Sequence, residues 1–270
     1  MRVLKRSLYY KMRYKIAEDV RPQLMLLLIA TAITIALWFI PYADYLVYPI
    51  RLFVTFIHEG GHALAAILTG GSVQSLTVSP DSSGLVKAYS DSSIATLIFS
   101  SAGYLSAMAY GVLLLALIRW RVSPHKVLFG SGVFVALMTV VFGLLAPVWH
   151  IFSADVSFGS VAFTLFSGAL ITAGLIAAAR YANLKWANFF VGFLAVQCLL
   201  NAVFDLKNLF VISATTNAHN DAMNMAQVTG LPAFAWILIW IGISVLMISV
   251  GLRVYVASQK GKQYDLPFED

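Results

Sequence analysis

The sequence of 270 residues has a single cysteine and few charged residues. One cysteine excludes both a disulfide framework and a zinc cluster held by several thiolates. Charged residues make up 11% of the chain, whereas a water-soluble domain carries about 25% because most of its surface faces water. With 60% hydrophobic residues and a mean hydropathy of +0.83, the chain must face lipid. The composition therefore predicts an integral membrane protein.

The net charge of +6 argues for a membrane rather than for nucleic acid, because the basic residues lie at the ends of apolar runs instead of in one patch. Seven of the eighteen basic residues precede residue 22. Among them an apolar residue recurs every fourth position, so we predict that residues 1–23 form a basic amphipathic segment on an anionic lipid surface. A solvated basic tail with a role in orientation is the alternative.

Seven apolar runs are long enough to be candidate transmembrane helices. They cover residues 24–41, 49–69, 94–118, 127–148, 159–179, 187–210 and 233–256. The segments between them combine turn formers, aromatic residues and cations, as membrane edges do. We therefore predict an all-α polytopic membrane protein of about seven helices, with one domain over residues 24–256 and a polar tail over residues 257–270.

Residues 71–91 differ from the other connections because they are rich in Val, Thr and Ser and break at Pro-Asp-Ser-Ser-Gly. This pattern predicts a small β-hairpin between the second and third helices. A hairpin beside membrane helices has an unpaired edge, which must be covered or must pair with another chain.

The second apolar run contains the motif His58-Glu59-Gly-Gly-His62. Residues four apart lie on one face of a helix, so both imidazoles can bind one zinc ion while Glu59 acts on a water molecule at the metal. Ionisable residues in the middle of a membrane span are costly and are by default functional. Buried polar residues that only bridge helices are the alternative.

A catalytic zinc site takes three protein ligands, so one more is needed. No glutamate occurs between Glu59 and Glu269, and the extended pattern HExxHxxGxxH fails because Ala65 and Leu68 occupy its Gly and His positions. Asp205, within an apolar helix, is our first choice as third metal ligand, and Asp221, in a more polar segment, is the competitor. Asn201 lies one turn before Asp205 and is expected either to contact the substrate or to pack between helices.

The segments HEGGHALAAILTGG, SAGYLSAMAYG, NAVFD and NDAMNMAQVTGLP, together with the hairpin, are similar to the site-2 protease family of intramembrane zinc metalloproteases. The likeness is greatest to its compact bacterial branch. The resemblance implies that His58 and His62 bind zinc, that Glu59 is the catalytic acid and base, and that a later aspartate is the third ligand. It also implies that the hairpin receives the substrate as an added strand.

We therefore predict a zinc metalloendopeptidase that hydrolyses membrane-embedded or membrane-proximal segments of transmembrane proteins. The expected substrate-binding positions of the hairpin are Val78, Leu85, Val86 and Lys87. A catalytically silent, zinc-binding membrane scaffold and an ion transporter are the alternatives. Because the first segment often decides orientation, we expect a multi-pass protein of the bacterial cytoplasmic membrane with its N-terminus in the cytoplasm.

Overall fold

The computed structural model describes residues 21–37, 40, 42, 44–90, 92–152, 156–216 and 219–256. Most of the predicted amphipathic segment and the whole polar tail lie outside these residues. The first half of the chain forms helix α1 (Arg21–Leu37), helix α2 (Asp44–Leu68), strands β1 (Ser72–Val78) and β2 (Gly84–Tyr89), and helix α3 (Ser93–Arg119). The second half forms α4 (Pro124–Leu137), a π-helix (Met138–Leu145), α5 (Ala146–Trp149), α6 (Phe158–Tyr181), α7 (Leu184–Thr215), α8 (Asp221–Thr229) and α9 (Ala233–Val256).

Five helical stretches of the described chain are long and apolar enough to cross a membrane, which makes this an integral multi-pass membrane protein. They are α3, the continuous stretch Pro124–Trp149, α6, α7 and α9. The predicted number of seven spans is not confirmed. The apolar part of α1 is short, covering Leu27–Leu37, and α2 carries Arg51 and the ionisable residues of the His-Glu motif, which lower its mean hydropathy.

The predicted hairpin is present as an antiparallel pair of strands in which Leu76 lies opposite Val86 and Val78 lies opposite Gly84. An irregularity between Val73 and Ser75 interrupts the alternation of faces. The end of β1 is buried throughout, because α2, α5, α6 and the π-helix pack against this strand, whereas β2 has exposed residues at Leu85, Ala88 and Tyr89. The hairpin is thus embedded against the helices along β1.

Thr164 of α6 covers the outer edge of β1. The Val78 backbone N–H donates to its Oγ1 at 2.8 Å. Because this N–H points away from β2, the pair Val78–Gly84 is one whose backbone groups face outwards, and the pair Leu76–Val86, two residues on, has the same orientation. The second outer edge of the hairpin, along β2, therefore directs the backbone groups of Gly84 and Val86 away from β1.

Helix α3 is central to the fold, since it packs against α2, α7, α8 and α9. Its contact with α2 depends on small residues: a Cβ at Gly61 would overlap the Ser106 side chain and the Ala102 carbonyl. The Ser106 hydroxyl also donates to the Ile57 carbonyl at 3.2 Å. This close approach brings the His-Glu motif of α2 directly against α3.

Candidate metal centre

The two histidines of α2 converge on one point. Their Nε2 atoms are 3.1 Å apart, as expected for residues one helical turn apart on the same face. The Nδ1 of His62 lies 2.7 Å from the carbonyl oxygen of Phe99. A carbonyl can only accept, so Nδ1 carries the proton and the Nε2 of His62 presents its lone pair. The ring is thereby oriented for metal binding.

Asp221 completes the group. Its Oδ2 lies 3.5 Å from the His62 Nε2, and one donor atom of each of His58, His62 and Asp221 falls within 4.8 Å of the other two. Asp221 is the first residue of α8, and the side chain of Asn220 caps that helix by accepting the Met223 N–H at 3.1 Å. Burial raises the pKa of the Asp221 carboxyl, and His62 opposes that shift by lowering the same pKa.

Helix α8 returns to the site because one of its faces is apolar. Ala222 and Met225 are buried in a cluster with Leu206 of α7 and Ile237 and Trp240 of α9. The chain therefore folds back after α7, and burial of these side chains stabilises the return. This places the carboxylate next to α2 although it is about 160 residues away in sequence.

The donor set and the space around it fit a zinc ion. Zinc–nitrogen bonds of about 2.0–2.1 Å in a tetrahedral arrangement separate two ligand atoms by roughly 3.3 Å, close to the observed 3.1 and 3.5 Å. The neighbour on α3 is Gly103, where a Cβ would overlap the Nε2 atoms of both His58 and His62. A glycine at this point keeps the lone pairs accessible.

Glu59 is buried, at 5% exposure, on the same helix. The Val86 backbone N–H of β2 lies close enough to interact with its carboxylate. A Cβ at Gly84 would overlap Oε1, Cγ and Cδ of the same glutamate. The free edge of the hairpin is therefore in direct contact with this side chain.

Aromatic rings pack beside the histidines. The Tyr104 ring meets the His58 ring edge to face, with centroids 4.6 Å apart, and stacks on Trp240 of α9 at 5.3 Å. The Trp240 indole N–H donates to the Ser101 hydroxyl at 3.1 Å, which fixes that ring. The His58 ring therefore packs against an aromatic pair from α3 and α9.

A cleft of about 300 Å³ opens onto the side chains of His58 and Glu59. It is large enough for a short stretch of extended chain. Its lining residues come from α2, the hairpin turn, α3 and α7, and they are Thr55, His58, Glu59, Ser82, Ser83, Gly84, Tyr104, Asp205, Asn208, Leu209 and Ile212.

The two candidates for the third ligand lie in different places. Asp205 lines the cleft, but the group of described residues with metal-binding geometry contains Asp221 instead. The physical reason is the return of α8, which brings its first carboxylate to the imidazoles.

The amide of Asn201 is engaged away from the cleft. It donates to the carbonyl oxygen of Gln197 at 2.8 Å, and Gln197 donates to Thr34 of α1 at 2.7 Å. Asn201 is not among the described residues that line the cleft. The contact with α1 is thus made by Gln197, and the hydrogen bonds that Asn201 donates to Gln197 stay within α7.

The hairpin positions differ in their access. Val78 is buried beside Thr164, and Leu85 and Lys87 lie opposite Thr77 and Ser75 of β1. Of the four predicted positions, Val86 is the one whose backbone N–H reaches the site.

Sequence reasoning missed the backbone carbonyl of Phe99 and the roles of Gly84 and Gly103. A carbonyl has no sequence signal. The glycines had one, since both lie within segments already singled out, but their use depends on a close approach between distant elements.

Comparison with known families gives one match: a family described as Peptidase M50B-like, over residues 27–251. The matched region includes α2, the hairpin, α3, α7 and α8, and thus every residue of the candidate centre. Neither the curated proteins nor the solved structures contain a match to this chain.

Proposed function

The chain belongs to the Peptidase M50B-like family, which is the site-2 protease family, and from this premise we propose that it is a zinc metalloendopeptidase that cleaves substrates within or beside the membrane. One observation carries the proposal: the His58 and His62 Nε2 atoms lie 3.1 Å apart, with the Asp221 carboxylate beside them. Two histidines and a carboxylate are a ligand set of catalytic zinc sites, which keep a fourth position open.

Asp221, rather than Asp205, is the proposed third ligand. The 3.5 Å distance from its Oδ2 to the His62 Nε2 supports this choice. Asp205 stays in the cleft with Asn208, where the proposed role of both is to contact the substrate backbone.

Bound zinc would supply a Lewis acid that activates water and polarises the scissile carbonyl. Glu59 acts as the base that takes the proton from the attacking water and as the acid that returns it to the leaving amine. The Phe99 carbonyl holds His62 in the tautomer that binds metal.

An extended substrate segment is proposed to lie along the outer edge of β2. Two observations support this: the outer edge of β1 is covered at Val78 by Thr164, and the outer edge of β2 borders the cleft at Gly84. A transmembrane helix must unwind before its peptide bonds can be attacked, and pairing with a strand stabilises the unwound form. Among Val78, Leu85, Val86 and Lys87, proline at Val86 should impair cleavage with the least damage to the hairpin, because its N–H points outwards.

The proposed setting is a bacterial cytoplasmic membrane, with the N-terminus in the cytoplasm and transmembrane proteins as substrates. Orientation can be tested with a cysteine introduced at residue 2, because the native Cys198 is buried. In intact cells this residue should resist a membrane-impermeant maleimide and become labelled only after lysis. Labelling in intact cells would reverse the orientation.

Replacement of Glu59 by Gln tests the enzymatic proposal against a silent zinc-binding scaffold and an ion transporter. The amide keeps the shape but cannot take a proton, so Glu59→Gln should retain zinc and lower cleavage of a reconstituted membrane-helix substrate by about 10²–10⁴-fold. Changing both His58 and His62 to Ala should remove zinc as well. Cleavage by Glu59→Gln at the parental rate would reject Glu59 as the base, and zinc-loaded protein without peptidase activity on such substrates would favour the scaffold.

A further inference from the structure

The hairpin is in close contact with Glu59, the proposed base. Glu59 lies on α2, and both of its close hairpin neighbours lie on β2, at positions 84 and 86. Residues two apart in a strand direct their backbone groups to the same edge. Gly84 and the N–H of Val86 therefore both face the Glu59 carboxylate from the outer edge of β2.

Gly84 has no conformational need to be glycine. The positive φ values among described glycines belong to Gly70 and Gly230, so the backbone at Gly84 suits other residues. What position 84 lacks is space, because a Cβ there would overlap three atoms of the Glu59 side chain. A Cβ at position 84 would be fixed to the strand backbone, so the Glu59 side chain would have to move.

The Val86 N–H is available to Glu59 because β1 does not use it. Val78, on the opposite outer edge, donates to Thr164, and the pair Leu76–Val86 has the same orientation as the pair Val78–Gly84. The hairpin is thus anchored to α6 through one edge and lies against the Glu59 side chain with the other.

We propose that Gly84 and the backbone N–H of Val86 are positioning groups that fix the Glu59 carboxylate beside the histidine pair. The catalytic role of Glu59 rests on the proposed function, but the positioning contact is a property of the metal-free chain as well. A substrate strand that pairs at Val86 must then replace Glu59 as acceptor, which couples strand binding to release of the base.

The test uses the small number of glutamates. The chain has three, Glu18, Glu59 and Glu269, so labelling with glutamate carrying a ¹³C side-chain carboxyl shifts the infrared bands of at most three side chains. The band that disappears in Glu59→Gln belongs to Glu59. In purified, detergent-solubilised full-length protein, Gly84→Ala should shift this band, and the matched control Gly130→Ala should not, since nothing lies within 4 Å of a Cβ at Gly130.

Two further measurements extend the test. Val86→Pro removes the donor without adding bulk at position 84 and should shift the same band. Conversely, Glu59→Ala removes the acceptor and should speed amide hydrogen exchange at Val86, with Val78 unchanged because its acceptor is Thr164. This last variant leaves the hairpin sequence intact and decides the question if the hairpin variants do not fold.

Activity provides a separate outcome. A displacement of about 1 Å in a catalytic group can cost roughly a hundredfold, so kcat of Gly84→Ala should fall by that order with KM and zinc content unchanged. Double substitution with Glu59→Asp, whose shorter side chain avoids position 84, should show less than additive losses. An unshifted Glu59 band in Gly84→Ala together with unchanged exchange at Val86 would overturn the inference. A wild-type protein without zinc or cleavage would instead contradict the proposed function.

Discussion

Asp221 and Asp205 show how far single residues can be assigned from their surroundings in the sequence. Asp205 lies near the end of the sixth apolar run and Asp221 in the polar segment that follows it, and both reach the site region of the fold. Their difference is distance: Asp221 reaches the His62 Nε2 at 3.5 Å, while Asp205 forms part of the cleft wall together with Tyr104. Replacement of the two residues should therefore affect metal binding to different degrees.

Asp221→Ala should weaken zinc binding far more than Asp205→Ala. Loss of a direct ligand removes a metal bond, whereas changes to groups around the ligands typically cost 10–100-fold in affinity. We expect a loss of more than about 100-fold for Asp221→Ala and of less than about tenfold for Asp205→Ala, measured by competition with a zinc chelator. The reverse order would return the ligand role to Asp205.

The histidine pair could be predicted because its chemistry is local. His58, Glu59 and His62 lie within five residues, and the helical repeat alone places the imidazoles on one face. Asp221 could be offered only as a competitor, since its place depends on the return of α8. Burial of Ala222 and Met225 against other helices determines that return. The position of a residue along its helix does not reveal such packing.

At the scale of elements, the hairpin was predictable and its surroundings were not. Its strands and turn have a strong sequence signal, and the strands fall within the predicted segment. The same segment gives no sign that Thr164 of α6 would cover one edge. The π-helix Met138–Leu145, which packs against β1, also has no distinct pattern in the apolar run that contains it.

Thr164→Val should loosen the hairpin. It keeps the shape of the side chain but leaves the buried Val78 N–H without its acceptor, at a cost of about 1–3 kcal/mol. We expect a lower thermal unfolding midpoint in detergent and faster amide exchange at Val78. Thr215→Val is the matched control, because its hydroxyl donates to a carbonyl of its own helix at an exposed position. Equal midpoints for the two variants would show that Thr164 does not anchor the hairpin.

At the scale of the molecule, the composition predicted a membrane protein. The number of spans depends on two helices, α1 and α2. Five described stretches meet the requirements of length and hydropathy. Helix α2 falls outside them because of Arg51 and the residues that make up the site, which lower its hydropathy. Within α2, the polar residues that the site needs thus oppose the apolar character of the helix. Packing against α3 compensates for these polar groups.

The metal centre joins parts of the chain that are otherwise far apart. His58 and His62 lie on α2 and Asp221 on α8, with α3 packed against both helices. A ligand that binds only the folded arrangement stabilises it by mass action, by about 2.7 kcal/mol at a free concentration of one hundred times its Kd. Zinc should therefore act as a clamp between α2 and α8 as well as a catalyst.

Removal of zinc with a chelator should lower the thermal unfolding midpoint of the wild-type protein in detergent, and readdition of zinc should restore it. In Asp221→Ala the chelator should have little further effect, because the link to α8 is already lost. Asp205→Ala should respond as the wild type does, since its carboxylate is outside the ligand group. If exchange of the α8 amides is equal with and without zinc in the wild type, then the metal does not connect α8 to α2, and the three-ligand site must be reassigned.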